Sequence, residues 1–365
     1  MSFKIFVINP GSTSTKLALF EDETCLVSEN VFHDSSILKT FPHINDQLDY
    51  RMDVILDFIR DNHLDLTGID AIVGRGGSSF SVASGVYEVN DLLVADTRAS
   101  KGGLNHVSNL GVQLAKKMQA IYGGRLFMVD PTVVDEYQDL ARITGCKGVY
   151  RRAISHALNQ KATARYHAMT HGQVYEESRY IVAHIDGGIS VDAHCLGRMI
   201  DGNNAAGGEG PFTPTRIGGM AVTDVAEHFP DKTPEELVMM CTEDGGLSSH
   251  FGTSNADTIH AMVDKGDPEA TRVWKAMIYR VGKEIGAMSC VLEGRVDAII
   301  LTGGLMRFAD VEEDLRRYCG WIAPICVYPN ELEFEAMAGG ALAVLRGEIR
   351  ARTYTGRPVW QGFRD

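Results

Sequence analysis

Lys4-Ile-Phe-Val-Ile-Asn-Pro-Gly-Ser-Thr-Ser-Thr-Lys-Leu-Ala-Leu-Phe20 opens the chain with two apolar runs separated by turn residues. Ile5–Ile8 reads as a buried strand, Asn9-Pro10-Gly11-Ser12 as a turn and Ser14–Phe20 as a return strand, together a hairpin at the start of a domain. The layout recurs midway as Tyr180-Ile-Val-Ala-His-Ile-Asp-Gly-Gly-Ile-Ser-Val-Asp-Ala-His-Cys195, and matching Val7 to His184 sets the copies 177 residues apart. A second pair, Ala71-Ile-Val-Gly-Arg-Gly-Gly77 and Ala298-Ile-Ile-Leu-Thr-Gly-Gly304, runs from an apolar strand into Gly-Gly at an offset of 227. The chain therefore reads as two degenerate copies of one unit. The second carries an insertion placed in Gly202–Gly246, a stretch rich in Gly, Pro and Thr.

Helical periodicity fills the gaps. Met52, Ile55, Leu56 and Ile59 give Asp49–Asn62 an apolar stripe, and Leu110, Leu114 and Met118 do the same for Ser108–Tyr122. Ala157–Thr170 and Pro268–Leu292 follow, and the Ala/Gly-rich Glu335–Arg346 is the last helix. Strands alternating with helices in duplicated halves make an α/β protein, with the cleft between halves as the place for a ligand.

Composition narrows the function. With 365 residues, 44% of them hydrophobic, the chain can bury a sizeable core. Its net charge of −13 and the absence of Lys/Arg runs beyond pairs speak against nucleic-acid and anionic-membrane partners. The seven cysteines are scattered, without a CxxC, as expected of reduced thiols in a cytoplasmic protein, and no apolar stretch approaches the ~18 residues of a membrane span. His167 and His171 have the i, i+4 spacing of a zinc pair but lack the Glu of HExxH, so they read as a solvated helix face.

The first turn is where chemistry is expected. Gly11 lets the backbone approach a ligand, Ser12 and Ser14 offer hydroxyls and Lys16 a charge, the makings of a phosphate cradle. It is not a Walker A loop, because the second Gly is missing and Lys16 lies in a strand. Asp186-Gly187-Gly188-Ile-Ser190 supplies a matching turn in the second copy.

These segments resemble the acetate and butyrate kinases of the acetokinase family, within the actin, hexokinase and heat-shock ATPase superfamily. The resemblance rests on Asn9-x-Gly11-Ser12-x-Ser14-x-Lys16, Val73-Gly-Arg75-Gly-Gly77 and Arg151-Arg-Ala-Ile-Ser-His156. It continues through His184-Ile-Asp-Gly-Gly-Ile-Ser190, Gly210-Pro-Phe-Thr-Pro-Thr-Arg216, Leu301-Thr-Gly303-Gly304 and Tyr328-Pro-Asn-Glu331-Leu-Glu333, in the family's order along essentially the whole chain. The wording of the first, second and fifth segments favours the butyrate branch, as does the absence of a Phe-His-Gly-Thr-Ser-His segment. Thr215 departs from the Glu often found there.

The resemblance implies two duplicated ribonuclease H-like domains with a nucleotide cleft between them. Residues 1–154 with about 335–365 would form the acyl-substrate side and 155–334 the nucleotide side. It implies ATP/ADP and Mg²⁺ as cofactors, a short-chain carboxylate as substrate and a homo-oligomer. Arg75 and Arg216, one from each domain, would clamp the transferring phosphoryl group, with His156 hydrogen-bonded to it and Asp130 orienting an Arg or magnesium-bound water. Asn9, Gly11, Ser12, Ser14, Lys16, His184, Asp186, Gly187, Gly188, Ser190, Gly303 and Gly304 would bind nucleotide. Asn9 and Glu331 would reach the metal, Glu333 remaining an alternative to Glu331.

Overall fold

In the computed structural model of the chain, which describes residues 2–329 and 331–363, the polypeptide divides into two compact units. The first runs to Asp135 and resumes at Leu332; the second is Glu136–Glu331. The division falls upstream of the expected 154 because the intervening segment is bound to the second unit. Gln138 N donates to Ile200 O (2.9 Å), Tyr137 Oη to Gly202 O (2.9 Å), and Arg151 pairs with Asp201 and Glu209.

The first unit is built on a seven-stranded sheet. β1 (Lys4–Pro10), β2 (Ser14–Glu21) and β3 (Thr24–Phe32) form an antiparallel meander, and β4 (Ala71–Gly74) continues it parallel to β1. β6 (Arg125–Val129) pairs parallel to β4, and β5 (Val86–Glu88) turns back along β6. Strand alternation sorts the side chains. Phe6, Ile8, Leu17 and Leu19 join one core with Met52, Ile55 and Ile59 of helix Leu48–Asp61 and with Leu114, Ala115 and Met118 of helix Gly111–Tyr122. Helix Glu333–Leu345 contacts β1, β4 and β6 and buries Met337, Ala338, Ala341 and Leu342.

The second unit repeats the plan. β7 (Arg179–Ile185), β8 (Ile189–Cys195) and β9 (Arg198–Gly202) form the meander, with β10 (Ala298–Thr302) and β11 (Ile325–Tyr328) parallel to β7. Its order, β11-β10-β7-β8-β9, is that of the five consecutive strands β6-β4-β1-β2-β3 in the first unit; the edge strand β12 (Arg352–Thr353) completes the first sheet against β5. Ile181, Ala183, Ile189, Val191, Ile299 and Leu301 pack with helices Pro268–Val291 and Ala309–Cys319. Tyr180, Val182 and Ile300 cluster with Ala164 and Ala168 of helix Ala157–Thr170.

Strand register corrects the repeat. The strand bounds set Lys4–Pro10 against Arg179–Ile185, so Lys4 matches Arg179 and Asn9 matches His184, an offset of 175 rather than 177; the last pair encloses four residues in the first hairpin (Pro10 opposite Thr15) and three in the second (Ile185 opposite Ile189). The 227 offset holds, since Ala71 pairs with Ile5 and Ala298 with Tyr180. The extra residues of the second unit lie between β9 and helix Pro268–Val291, in loops and four short helices. No helix among the described residues is long and apolar enough to cross a membrane.

Candidate active site

In the first unit the site grows from the ends of β1 and β4. Asn9 alternates away from the Phe6/Ile8 face, toward helix Glu333–Leu345. Its Nδ2 donates to Glu333 Oε2 (2.6 Å), and Arg75 Nη1 donates to Glu333 Oε1 (2.7 Å). Arg75 is 6% exposed. It is positioned by a backbone-to-backbone contact, because a Cβ on Gly111 would lie 2.3 Å from Arg75 O. Asn9, Arg75 and Glu333 thus form one constellation, with Glu333 at the first turn of its helix.

The Gly11–Thr13 turn closes through Gly11 N to Ser14 O (2.8 Å), leaving Ser12 exposed and Lys16 opposite Asn9 across the hairpin. Beneath it lies Arg51, a residue that reading the helix as amphipathic sends to solvent. It is fully buried, donating from Nη1 to Ser14 O (3.0 Å) and Thr15 Oγ1 (2.9 Å), while its Nη2 has no partner. Burial pulls Arg51 down to about 10; burial and then the Arg51 charge push His33, 3.1 Å away, down to about 4. Asp130 is buried at positive φ (34°) and accepts from Ser84 Oγ and Gly85 N, both at 2.7 Å, so it organises that turn.

In the second unit a different set converges on the turn Asp186–Gly188. Gly303, at φ 102°, passes so close that a Cβ would sit 2.6 Å from Ile185 O, and Gly304 N donates to Asp186 Oδ2 (3.2 Å). Thr213 Oγ1 donates to Gly187 O (2.7 Å) and Thr215 Oγ1 to the same oxygen (3.2 Å), strapping the following loop onto the turn. That strap lays Arg216 on Gly188, where a Cβ would meet Nη1 at 2.4 Å. Arg216 Nη1 donates to Ala205 O (2.7 Å), its Nε is buried without a partner, and no carboxylate pairs with it among the described residues. Burial lowers its pKa to about 10.

The opposite side of the turn is set by alternation in β8. With Ile189, Val191 and Ala193 in the core, Ser190, Asp192 and His194 fall on the other face. Gln160 Nε2 donates to Ser190 Oγ (2.8 Å) and Asp192 Oδ2 (2.5 Å), and Gln160 Oε1 meets His194 Nε2 (2.9 Å). His156 Nδ1 lies 2.8 Å from Ser190 Oγ, and Asn159 Nδ2 donates to His184 Nδ1 (2.7 Å). The His156 and His184 rings stack at 4.0 Å. With Nδ1 accepting, His184 carries its proton on Nε2, making that atom a neutral donor. Asp192 is fully buried, its Oδ1 unpartnered, and burial raises its pKa to about 7 against the hydrogen bonds of Ser155 and Gln160.

Residues 136–316 match the model of the acetokinase family. The fold of the chain is also similar to that of acetate kinase from Porphyromonas gingivalis (TM-score 0.73, 19% identity, 94% of this chain and 100% of that one). Propionate kinase from Francisella tularensis subsp. tularensis SCHU S4 gives 0.71 at 16% identity over 93% and 98% of the two chains, and acetate kinase from Entamoeba histolytica 0.70 at 14% over 94% and 98%.

Within the second unit, His184, Asp186 and Glu331 present ligand atoms within 4.8 Å of one another. Magnesium takes oxygen ligands and retains water, so the Asp186 and Glu331 carboxylates fit it, while the His184 imidazole, a nitrogen donor, suits it less. Of the two glutamates left open by the sequence, Glu331 lies beside Asp186 and His184, and Glu333 beside Asn9 and Arg75. Thr213, Asn159, Gln160 and Arg51 were not found by motif. Each acts by holding a named site residue or turn, a role that short polar side chains leave no spacing signal for. His167 is buried rather than solvated, its Nδ1 2.9 Å from Tyr328 Oη, because its helix face packs on the sheet.

Proposed function

We propose that the chain is an ATP-dependent short-chain carboxylate kinase, acting reversibly on butyrate or a closely related straight or branched acid to give an acyl phosphate and ADP. The observation that carries this reading is Arg216, a half-buried side chain whose Nε is shielded from water and which has no carboxylate partner among the described residues, laid on the glycine turn of the segment that matches the acetokinase model. A cation kept in that condition is suited to an anion delivered by substrate.

The chemistry needs little else. An aliphatic acid, with a pKa near the ~4 of side-chain carboxyls, is ionised at neutral pH and is itself the nucleophile. One of its oxygens attacks the γ-phosphorus, a P–O bond forms, and the bond to the β-phosphate oxygen breaks with its electron pair leaving on ADP. No proton moves, so no general base is required. The protein has to hold the reactants in line and neutralise charge on the transferring oxygens, which is worth ~10³ or more for a well-placed arginine. Arg216 and Arg75 take that role, Arg75 using the donors not engaged by Glu333. His184 donates from Nε2 and His156 hydrogen-bonds the transferring group, with Asn159 holding the His184 ring and Ser190 the His156 ring. Gly11, Ser12, Ser14 and Lys16 in one unit, and Asp186, Gly187, Gly188, Ser190, Gly303 and Gly304 in the other, serve the nucleotide. Asp186 and Glu331, with water, would hold Mg²⁺, which would supply positive charge against the nucleotide phosphates.

The preference for butyrate rests on the wording of Asn9–Lys16, Gly74–Gly77 and Gly210–Pro214. Acetate or propionate is the second reading, favoured by the fold's similarity to kinases of those acids. One methylene in an apolar pocket is worth only ~1–3 kcal/mol, so a few side chains decide between them. Trapping the acyl phosphate as a hydroxamate, with ATP and Mg²⁺ and acetate, propionate, butyrate, isobutyrate and valerate in turn, tests both. The expected result is the highest kcat/KM on a four-carbon acid. A maximum at acetate or propionate selects the second reading. No product from any acid, with folded protein that binds ATP, removes the kinase reading altogether.

A further inference from the structure

The far end of helix Ala157–Thr170 carries a cluster that the phosphoryl chemistry does not use. His167 and His171 are one helical turn apart, and their rings stack at 4.1 Å with planes 28° apart. β11 runs beside this end as an edge strand, paired among the described residues with β10 alone. Because Ile325 and Val327 point into the core shared with helix Pro268–Val291, Cys326 and Tyr328 alternate onto the side of helix Ala157–Thr170. The result is two imidazoles and a thiol whose ligand atoms all lie within 4.8 Å of one another.

We propose that His167, His171 and Cys326 form a binding site for a single Zn²⁺ ion, separate from the phosphoryl-transfer residues. The donor set is that of a borderline-soft metal. Two nitrogens and a thiolate suit Zn²⁺ and are unsuited to Mg²⁺ or Ca²⁺, which take oxygens. The surroundings orient the rings. His171 Nδ1 is 2.9 Å from His167 O, and His167 Nδ1 is 2.9 Å from Tyr328 Oη, which leaves Nε2 of each ring to bind. Zinc bond lengths place tetrahedral ligands roughly 3.3–3.6 Å apart. A rotation of His171, which is exposed, closes the remaining ångström, and the ion enters from the same side. His167, buried, and Cys326, half-buried, are the fixed part of the site. The helix separates this site from His156 by about 20 Å, at 1.5 Å per residue. On binding, two Zn–N bonds and one Zn–S bond form, the Cys326 Sγ–H proton passes to solvent, and water completes the fourth position.

The experiment is a Co²⁺ titration of the full-length, EDTA-treated protein followed by absorbance, with Zn²⁺ as competitor and proton release measured in parallel. The expected result is one Co²⁺ per chain with a thiolate-to-cobalt charge-transfer band and tetrahedral d–d bands, all erased by one equivalent of Zn²⁺. One proton is released per ion, and Zn²⁺ raises Tm by about 5 °C. Cys326→Ser removes the charge-transfer band, and His171→Ala, at an exposed position, weakens binding at least ~100-fold. Cys290→Ser, at an exposed cysteine outside the cluster, changes nothing. Absence of binding at 100-fold excess metal overturns the site, as does a charge-transfer band that survives Cys326→Ser or that follows Cys25, Cys146 or Cys290.

Discussion

Arg216, half-buried, and Asp192, fully buried, are charged-type side chains of the second unit with an atom unpartnered in each, and they predict different consequences of substitution. Removing Arg216 removes an uncompensated cation whose desolvation the folded protein bears. Arg216→Ala is therefore expected to leave Tm unchanged or higher while kcat in the hydroxamate assay falls ~10³-fold or more. Arg216→Lys should recover little, since an ammonium lacks the planar fork. Near-normal turnover in Arg216→Ala would refute the role. Asp192 works through pH. Its carboxyl holds its proton up to about 7 in the fold, against an ordinary value of 3.8, because of burial. Between about pH 4 and 7 the unfolded chain has released that proton and the folded chain has not, so this group makes stability fall as pH rises through the window. Asp192→Asn cannot titrate and should flatten the decline, read as urea midpoints at pH 5 and pH 8. Equal pH slopes in both proteins would show that Asp192 ionises at an ordinary pKa. His33, held down to about 4 by burial and then by Arg51, acts in the other direction: its contribution is lost as pH falls from about 6.5 through 4.

At the scale of the element, the β4–helix contact decides where Arg75 points. A Cβ on Gly111 would lie 2.3 Å from Arg75 O, and one on Gly74 2.5 Å from Gly111 O, so strand and helix meet backbone to backbone. Gly111→Ala must push helix Gly111–Tyr122 off the sheet or tilt the end of β4. The expected cost is ~3 kcal/mol or more by denaturant unfolding, together with a loss of kcat as Arg75 leaves Glu333. A stable, active Gly111→Ala protein would mean that the helix yields without moving the strand. The hairpins and their Gly-Gly strands were legible in the sequence because period-2 apolar runs and turn residues are local signals. The partners of those elements were not. Glu331 and Glu333 stand two residues apart, yet one lies before the start of helix Glu333–Leu345 and the other within its first turn, and that fraction of a turn gives them different neighbours. The 177-residue offset erred for a related reason: it matched strand text, whereas the match is set by which residues pair with the neighbouring parallel strand, Ile5 with Ala71 and Tyr180 with Ala298. Arg51, Asp192 and Gln160 escaped because polar side chains on a helix or strand read as solvent-facing until the residues that cover them, far away in sequence, are known.

For the molecule as a whole, the chain crosses twice between two units, and only the second is continuous in sequence. Glu136–Glu331 contains both faces of its sheet: the cluster around Trp274, Ile285 and Leu301 on one side, and that around Tyr180 and Ala168 on the other. The first unit lacks that autonomy. Its second face is supplied by helix Glu333–Leu345, which packs so tightly that a Cβ on Gly340 would lie 2.9 Å from Val129. The segment that follows pairs β12 with β5 and brings Tyr354 Oη to donate to Asp96 (2.8 Å). Without these residues the β1, β4 and β6 face, including Ile5, Val7 and Val129, is left to water, at a cost of ~1.5–3 kcal/mol for each large apolar side chain exposed. A fragment of residues 136–331 should therefore fold by itself, with dispersed amide NMR signals and a cooperative melt. Residues 1–135 alone should aggregate or show collapsed dispersion, and should recover native-like spectra when a peptide of residues 332–365 is added. A well-folded 1–135 fragment would show that the first unit closes its sheet without the C-terminal helix. Failure of 136–331 to fold would show that the second unit depends on the first for more than its sequence position.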